Sequence, residues 1–264
     1  MDRSTALALN RVNGQFYRLE ARAFDAKRSA PWPGWGILLE RWRDLGRPAR
    51  PRILDVACGN GRFGVRAARE LPDGFVYRGV DASDSLLTVA KGRLAGLGSR
   101  VDVAFYRWDL VAAALPGARL ELPDRAAGDG AFDLVVAFGL LHHVPGFELR
   151  RDLLAAMARR LAPAGALAVS LWRFGERPRF RRRVAPWSES PETAGLASAR
   201  FEPGDHLLRW GSGGAVRYCH AVSSAEEGLL AVAPEAGAPV ELVDRFDADG
   251  AGGDLNRYLL WRRR

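Results

Sequence analysis

Three aspartates, Asp55, Asp81 and Asp109, stand at or just before the carboxyl ends of three successive apolar segments. The first segment leads into LDVACGNGRFG, residues 54–64, which has the Gly-x-Gly-x-x-Gly spacing of a dinucleotide-binding turn, beginning at Gly59. The carboxyl ends of parallel strands border the ligand crevice of an open α/β sheet. The spacing therefore predicts one ligand site that three carboxylates share.

The carboxylate of Asp55 selects among the ligands that such a turn can bind. It would repel a pyrophosphate, but it would attract a cationic ligand with an amino group, which indicates S-adenosylmethionine over Gly59 and Gly61. Asp81 is then placed to accept hydrogen bonds from both ribose hydroxyls, and Asp109 to accept one from the adenine amino group. Alternatively, Asp81 and Asp109 merely cap the helices that follow them.

The elements that position these residues alternate between strand and helix patterns from about residue 50 to 172. Strand candidates lie at 52–57, 76–81, 103–109, 132–139 and 165–172, with helical patterns at 62–70, 84–96 and 147–161. Such alternation is typical of βαβ units and predicts a parallel sheet covered by helices on both faces. The Pro and Gly of APAG, residues 162–165, are expected to end the last helix.

The two ends of the chain follow other patterns. Helices are expected near 5–24 and 34–45, separated by a segment with two prolines. Residues 173–215 are rich in Arg, Pro, Gly and Ser and are expected to be irregular, followed by a short strand at 215–222. A helix should then begin with capping-box spacing, either Ser223 with Glu226 or Ser224 with Glu227, and 240–261 predict two strands joined by a glycine-rich turn.

Five segments of the core carry a family resemblance. ILDVACGNGR, GVDAS, WDL, FDLVVAFGLLHHV and LAPAGAL resemble the successive motifs of class I S-adenosylmethionine-dependent methyltransferases. The resemblance covers about residues 50–172. It implies a Rossmann-like α/β fold, with a seven-stranded, mostly parallel sheet and a reversed last strand.

The resemblance also implies the domain organisation and further cofactor contacts. We expect one methyltransferase domain over 1–264, with an N-terminal helical cap at 1–49, the cofactor-binding core at 50–172, an Arg-rich insertion after strand 5 at 173–222, and a final helix and strand hairpin at 223–264. The further contacts that it implies are Ala57, Ala82, Leu110 and Phe138. Ala57 stands where the family usually has glycine, which costs little if its φ is negative.

The ends of the chain resemble a narrower group. Residues 13–35 and the strand RYCHAV are similar to tRNA methyltransferases that esterify 5-carboxymethyluridine at the wobble position. This implies an RNA substrate and places Tyr17 and Arg28 over the cofactor, with Arg28 near its carboxylate. Alternatively, Tyr17 only packs an amphipathic helix onto the sheet. A small activating protein partner of unknown identity is compatible with this hypothesis.

His142 and His143 follow the fourth strand and are expected to face the mouth of the cofactor site. Histidine serves as a general base where an acceptor must lose a proton, and the alternative is that the pair only shapes the pocket. A carboxylate acceptor, with a pKa of about 4, needs orientation and a cation more than a base. We assign that catalytic cation to Arg173.

RFGERPRFRRR, residues 173–183, contains six arginines and one glutamate directly after the fifth strand. A GC-rich genome explains why the chain has only two lysines, but it does not explain this clustering. We predict an anionic-substrate grip in which Trp172 stacks on a splayed base or, alternatively, packs the insertion onto the core. The arginines assigned to substrate binding are Arg177, Arg179, Arg181, Arg182 and Arg183.

Three functions remain open at this stage: methyl transfer to RNA, methyl transfer to an acidic small molecule, and cofactor binding without catalysis. The net charge of +8 favours an acidic partner. Cys58 and Cys219 form no disulfide framework or metal-ligand spacing, so we expect no metal and a cytoplasmic location. The N-terminus lacks the apolar region of a signal peptide, and no apolar run is long enough to cross a membrane.

Overall fold

The computed structural model describes residues 1–26, 30–114, 131–211 and 213–264. Arg28, which the resemblance assigns to the cofactor, lies outside these residues. The helices are α1 (Arg3–Ala26), α2 (Pro33–Asp44), α3 (Arg62–Glu70), α4 (Asp84–Ala95), α5 (Leu110–Ala114), α6 (Phe147–Ala158), α7 (Pro178–Arg181) and α8 (Ser224–Val232). Among the described residues, no helix is long and apolar enough to span a membrane.

The central sheet carries the strand ends that surround the site. Its strands are β1 (Arg52–Val56), β2 (Phe75–Asp81), β3 (Val101–Arg107), β4 (Phe132–Ala137), β5 (Leu161–Trp172), β9 (Val240–Ala248) and β10 (Asn256–Arg263). They lie in the order β3-β2-β1-β4-β5-β10-β9. The first five are parallel, and β10 is antiparallel to both of its neighbours. The seven-stranded, mostly parallel sheet with a reversed last strand is thus confirmed.

Both faces of this sheet are covered by helices, because the central strands have apolar side chains on both faces. Val135 and Ala137 of β4 belong to the cluster that includes the buried residues of α6. Leu134 and Val136, which point the other way, belong to the cluster that includes residues of α2 and α3. The central strands are therefore continuous apolar runs, as the sequence pattern predicted.

The expected end of the third core helix is wrong. α6 ends at Ala158, and APAG lies inside β5. Ala164 has a positive φ of 60°, and the pairing of β4 with β5 shifts register between Phe132 and Leu134. The proline and glycine therefore mark an irregular strand start rather than a helix stop.

The insertion is more regular than its composition suggests. It contains a second, antiparallel sheet of β6 (Val184–Ala185), β7 (Asp205–Trp210) and β8 (Ala215–His220). Leu207 and Tyr218 of this sheet pack against Leu9 and Val12 of α1. The strand at β7 was missed because its apolar part is only two residues long and charged residues flank it.

A buried ionic network joins the insertion to the core. Arg150 of α6 donates hydrogen bonds to Glu202 at 2.8 Å and to Glu226 at 2.7 Å. His220 of β8 lies 2.7 Å from both Asp205 and Glu226. Burial alone would lower the pKa of His220, but its hydrogen bonds to the two carboxylates outweigh this and raise it. The imidazole is therefore held as a cation between two acids.

In the turn between β1 and α3, Ala57 does not have the negative φ at which alanine would cost little. Its φ is +62°, in the left-handed region, followed by Gly59 at +53° and Gly61 at +76°. A Cβ on Gly61 would lie 2.7 Å from the Leu94 side chain and 3.0 Å from that of Ala90, so this glycine permits close packing of α3 on α4. Ala57, by contrast, has a conformation that disfavours any side chain.

We expect the Ala57→Gly variant to be more stable to urea than the natural chain. The left-handed conformation costs a non-glycine residue about 1–2 kcal/mol, and the flexibility of glycine offsets about 0.5–1 kcal/mol of that gain. Ala68→Gly, in the interior of α3, is the control and should lose about 1 kcal/mol. A loss of stability in Ala57→Gly comparable to that of the control would contradict the expectation.

The network at His220 predicts a stability that depends on pH. Because the folded pKa is raised, its contribution is complete below the unfolded value of about 6.5 and is lost as the pH rises through the folded pKa. The free energy of unfolding in urea should therefore fall over this interval in the natural chain and fall less steeply in His220→Gln. Equal slopes for the two proteins would show that His220 is not the titrating group.

Candidate functional site

A cavity of about 400 Å³ opens at the carboxyl ends of the first four strands. The sheet order places Asp109, after β3, and Asp81, at the end of β2, towards one side of it. His142 and His143, after β4, lie towards the other side. The predicted cofactor residues that line this cavity are Tyr17, Asp55, Ala57, Gly59, Asp81, Ala82, Asp109, Leu110 and Phe138. Gly61 does not line it and acts through packing.

Asp55 is buried in β1, with 2% of its surface exposed. Burial raises its pKa to about 7, a hydrogen bond from the Tyr77 hydroxyl at 2.5 Å limits the rise, and the charge of Asp81 adds to it. In the described part of the chain no arginine or lysine pairs with either carboxylate. A cation brought to this point would favour the ionised form of Asp55 and would itself be bound.

Asp81 supports the glycine turn as well as facing the cavity. Its two oxygens accept backbone hydrogen bonds from Gly59 and Ser83, each at 2.9 Å. Burial raises the pKa of Asp81, and these backbone donors limit the increase. Each oxygen keeps a further lone pair, which is what a pair of neighbouring hydroxyls requires.

Asp109 caps the helix that follows it, as one of the two alternatives predicted, and it also faces the cavity. It accepts a hydrogen bond from the backbone of Ala112 at 3.0 Å, which caps α5. The side-chain amide of Asn10 lies 3.1 Å from both of its oxygens. Asp109 therefore caps a helix, holds α1 and still lines the cavity.

The imidazole of His143 connects α1, the loop after β4 and β8. Its Nδ1 lies 2.8 Å from the carbonyl oxygen of Tyr218, to which it donates, and this tautomer leaves Nε2 to accept from the Tyr17 hydroxyl at 3.1 Å. Asn13 accepts from the backbone N–H of Tyr218 at 2.9 Å and lies beside the same ring. Tyr17 is therefore a hydrogen-bonding residue at the cavity as well as a packing residue.

His142 has different surroundings from its neighbour. It is buried, and the centroid of its ring lies 4.1 Å from that of His143 and 4.9 Å from that of Trp172, with the ring planes tilted to each other. Trp172 in turn contacts Phe180 at 4.8 Å. An aromatic layer thus separates the cavity from the surface of the insertion.

The basic segment divides into two parts. Arg173 pairs with Glu176 and Asp247, and Arg177 pairs with Asp254, so acidic side chains neutralise both. Neither they nor Trp172 line the cavity. The other predicted substrate residues are exposed on the outer side of the Phe180 layer: Arg179, Arg181, Arg182 and Arg183. The structure therefore brings the predicted cofactor residues together but leaves the predicted grip outside.

Among the polar residues that line the cavity and that sequence reasoning missed are Asn10, Asn13 and Arg217. The asparagines had no signal beyond their place on one face of an amphipathic helix. Arg217 lies in RYCHAV, a segment recognised as a strand, but one basic residue among many gave it no distinction. Its burial became visible only in the folded chain.

Within the described ranges, two groups of side chains have the composition of metal sites: His142, His143 and Cys219, and Glu202, Asp205 and His220. In the first group, His143 Nδ1 is directed at a backbone carbonyl. In the second, the acids bind His220 and Arg150. Protein partners therefore already account for donor atoms in both groups.

Comparison with known proteins agrees with this geometry. Residues 54–167 match the model of a methyltransferase domain. The structure resembles the S-adenosylmethionine-bound amino pentose methyltransferase of calicheamicin biosynthesis from Micromonospora echinaspora, with a TM-score of 0.56 and 18% identity over 93% of this chain and 97% of that one. This likeness establishes the fold.

The curated relatives include one named for a small-molecule substrate and one named for tRNA. A trans-aconitate 2-methyltransferase of Methylobacterium nodulans is 35% identical over 157 residues, which are 59% of this chain and 50% of that protein. A probable tRNA methyltransferase 9B of Mus musculus is 26% identical over 195 residues, 72% of this chain and 36% of that protein. The chain thus spans half or less of the length of these relatives. Residues 54–167 are therefore a methyltransferase domain by sequence match, and the structure has the fold of an S-adenosylmethionine-bound methyltransferase.

Proposed function

We propose that this protein transfers the methyl group of S-adenosylmethionine to an anionic acceptor in RNA, with tRNA as the first candidate. One observation carries the RNA part. Arg179, Arg181, Arg182 and Arg183 are exposed, form no ion pair within the described part of the chain, and lie one aromatic layer outside the cavity. Such a group of unpaired cations would bind the phosphates of an RNA backbone while one nucleotide enters the cavity.

The residues of the cavity fit the cofactor. Asp55 would bind the methionine ammonium, because its buried carboxylate has no cation of the described chain beside it. Asp81 would accept from the ribose hydroxyls, and Asp109 with Leu110 would bind the adenine. When bound, S-adenosylmethionine supplies an electrophilic methyl group on a sulfonium that leaves as a neutral thioether.

The chain's own contribution depends on the acceptor. A carboxylate gives up no proton on methylation, so it needs only a cation and an orientation. A hydroxyl or amine acceptor must lose a proton, and Nε2 of His143 is the available acceptor if the Tyr17 hydroxyl turns away from it. The two cases differ in the residue on which activity depends.

A second candidate acceptor is an acidic small molecule. The observation that favours it is Arg217, a buried arginine in a cavity of small size. A relative named for trans-aconitate, a tricarboxylate, is consistent with it. Transfer of labelled methyl groups to total tRNA, compared with transfer to a metabolite extract, separates the two candidates.

Asp81→Ala should weaken the binding of S-adenosylmethionine at least about tenfold, because a lost hydrogen bond to a charged group costs about 1.5–3 kcal/mol. Calorimetric titration measures this directly. Asp102→Ala, which removes an exposed carboxylate that pairs with Arg78, is the matched control and should leave the affinity unchanged. Equal affinities for the two variants would refute the ribose assignment.

For RNA, we expect the association constant for tRNA to fall steeply with salt. Replacing Arg179, Arg181, Arg182 and Arg183 by Gln should reduce the log–log slope by about 3 to 4, at about 0.9 per phosphate contact. The control removes the same charge from exposed positions elsewhere, at Arg43, Arg69, Arg151 and Arg264. No tRNA binding at low salt, or an equal loss of slope in the control, would overturn the RNA proposal.

A further inference from the structure

Arg217 of β8 is only 5% exposed, yet it lines the cavity. Within the described residues it forms no ion pair, and its buried Nε has no hydrogen-bond partner. Arg150 shows how this fold otherwise treats a buried arginine, with two carboxylates and a backbone carbonyl around it. A buried cation without an acid costs stability, so a specific role has to compensate for it.

Two aromatic rings hold the guanidinium in place. Its central carbon lies 5.6 Å from the centroid of Phe16 and 5.2 Å from that of Trp172. Such stacking orients a guanidinium without occupying its in-plane N–H donors. The rings therefore fix the position of Arg217 and leave its hydrogen-bonding edge for another group.

Arg217 belongs to the histidine side of the cavity. Residues two apart on a strand point to the same face, and Cys219, two residues on, has its sulfur 3.9 Å from Nδ1 of His143. Trp172, which Arg217 stacks on, also contacts His142. The three aspartates proposed to bind the cofactor lie at β1, β2 and β3, towards the other side of the sheet order.

This separation of charge decides which ligand each side can take. The aspartate side attracts cationic groups and repels a carboxylate. The histidine side has a fixed guanidinium, whose planar fork matches the two oxygens of a carboxylate. Arg18, Arg62 and Arg107 also line the cavity, but of these four arginines only Arg217 is buried, so a carboxylate that reaches the histidine side meets its guanidinium.

We propose that Arg217 binds a carboxylate of the methyl acceptor inside the cavity. The inference rests on the proposed methyltransferase function, but it applies equally to a carboxylate carried by RNA and to one on a small molecule. In this arrangement Arg217 makes the inner contact, and the exposed arginines of residues 179–183 lie outside the aromatic layer.

Direct binding of simple anions tests the proposal. Succinate and citrate, titrated at constant ionic strength into protein saturated with S-adenosylhomocysteine, should raise the midpoint of thermal unfolding, whereas uncharged succinamide should not. Arg217→Met should weaken carboxylate binding about tenfold or more. Arg209→Met, which removes an exposed arginine from the adjacent strand, is the matched control and should bind as the natural chain does.

Three outcomes would overturn the assignment: no carboxylate binding by the natural chain, unchanged binding by Arg217→Met, or tighter binding of inorganic phosphate than of either carboxylate. Affinity for S-adenosylhomocysteine distinguishes this failure from that of the proposed function. If the natural chain binds S-adenosylhomocysteine but no carboxylate, only the role of Arg217 is lost. If it does not bind S-adenosylhomocysteine, the proposed activity fails as well.

Thermal unfolding without added anion distinguishes a binding role from a structural one. An arginine that holds the fold together destabilises the protein when it is replaced. Arg217→Met instead places an apolar side chain between two rings and removes an unpaired buried charge, so its unfolding midpoint should equal or exceed that of the natural chain. A clear fall in the midpoint, with carboxylate binding unchanged, would assign Arg217 to structure alone.

Discussion

A single imidazole, that of His143, connects the parts of the chain that enclose the cavity. It donates to a backbone carbonyl of β8 and accepts from the Tyr17 hydroxyl of α1. A neutral imidazole carries only one N–H, so donation by Nδ1 leaves Nε2 as the acceptor. The relative positions of α1, the loop after β4 and β8 are therefore coupled through one tautomer.

The electrostatics of the cavity follow from this enclosure. Burial raises the pKa of Asp55 and Asp81, because neither carboxylate has a cation of the described chain to compensate for lost water. Enclosure also removes Arg217 from water on the opposite side of the cavity. A ligand with a cationic part would compensate for the burial of the aspartates, and an acceptor with an anionic part would compensate for the burial of Arg217.

In the basic segment, burial and ion pairing determine which arginines are available to bind a ligand. In the sequence its six arginines look equivalent. In the structure two of them pair with acids of the insertion and the final hairpin, and the other four remain exposed. Glu176 lies within the segment, but Asp247 and Asp254 are distant in the chain, and no local pattern records their pairing with Arg173 and Arg177.

The sequence was enough to predict the sheet, the glycine turn and the three acids at strand ends, since periodicity and strand-end placement are local properties. It could not determine the positive φ of Ala57, because only the packed turn imposes it. The short strand β7 could not be predicted either, because it is stabilised by contacts with α1 and β8 and not by an alternating pattern of its own. Asn10, Asn13 and Arg217 face the cavity only in the folded chain, because α1 and β8 reach it only when the chain has closed over the strand ends.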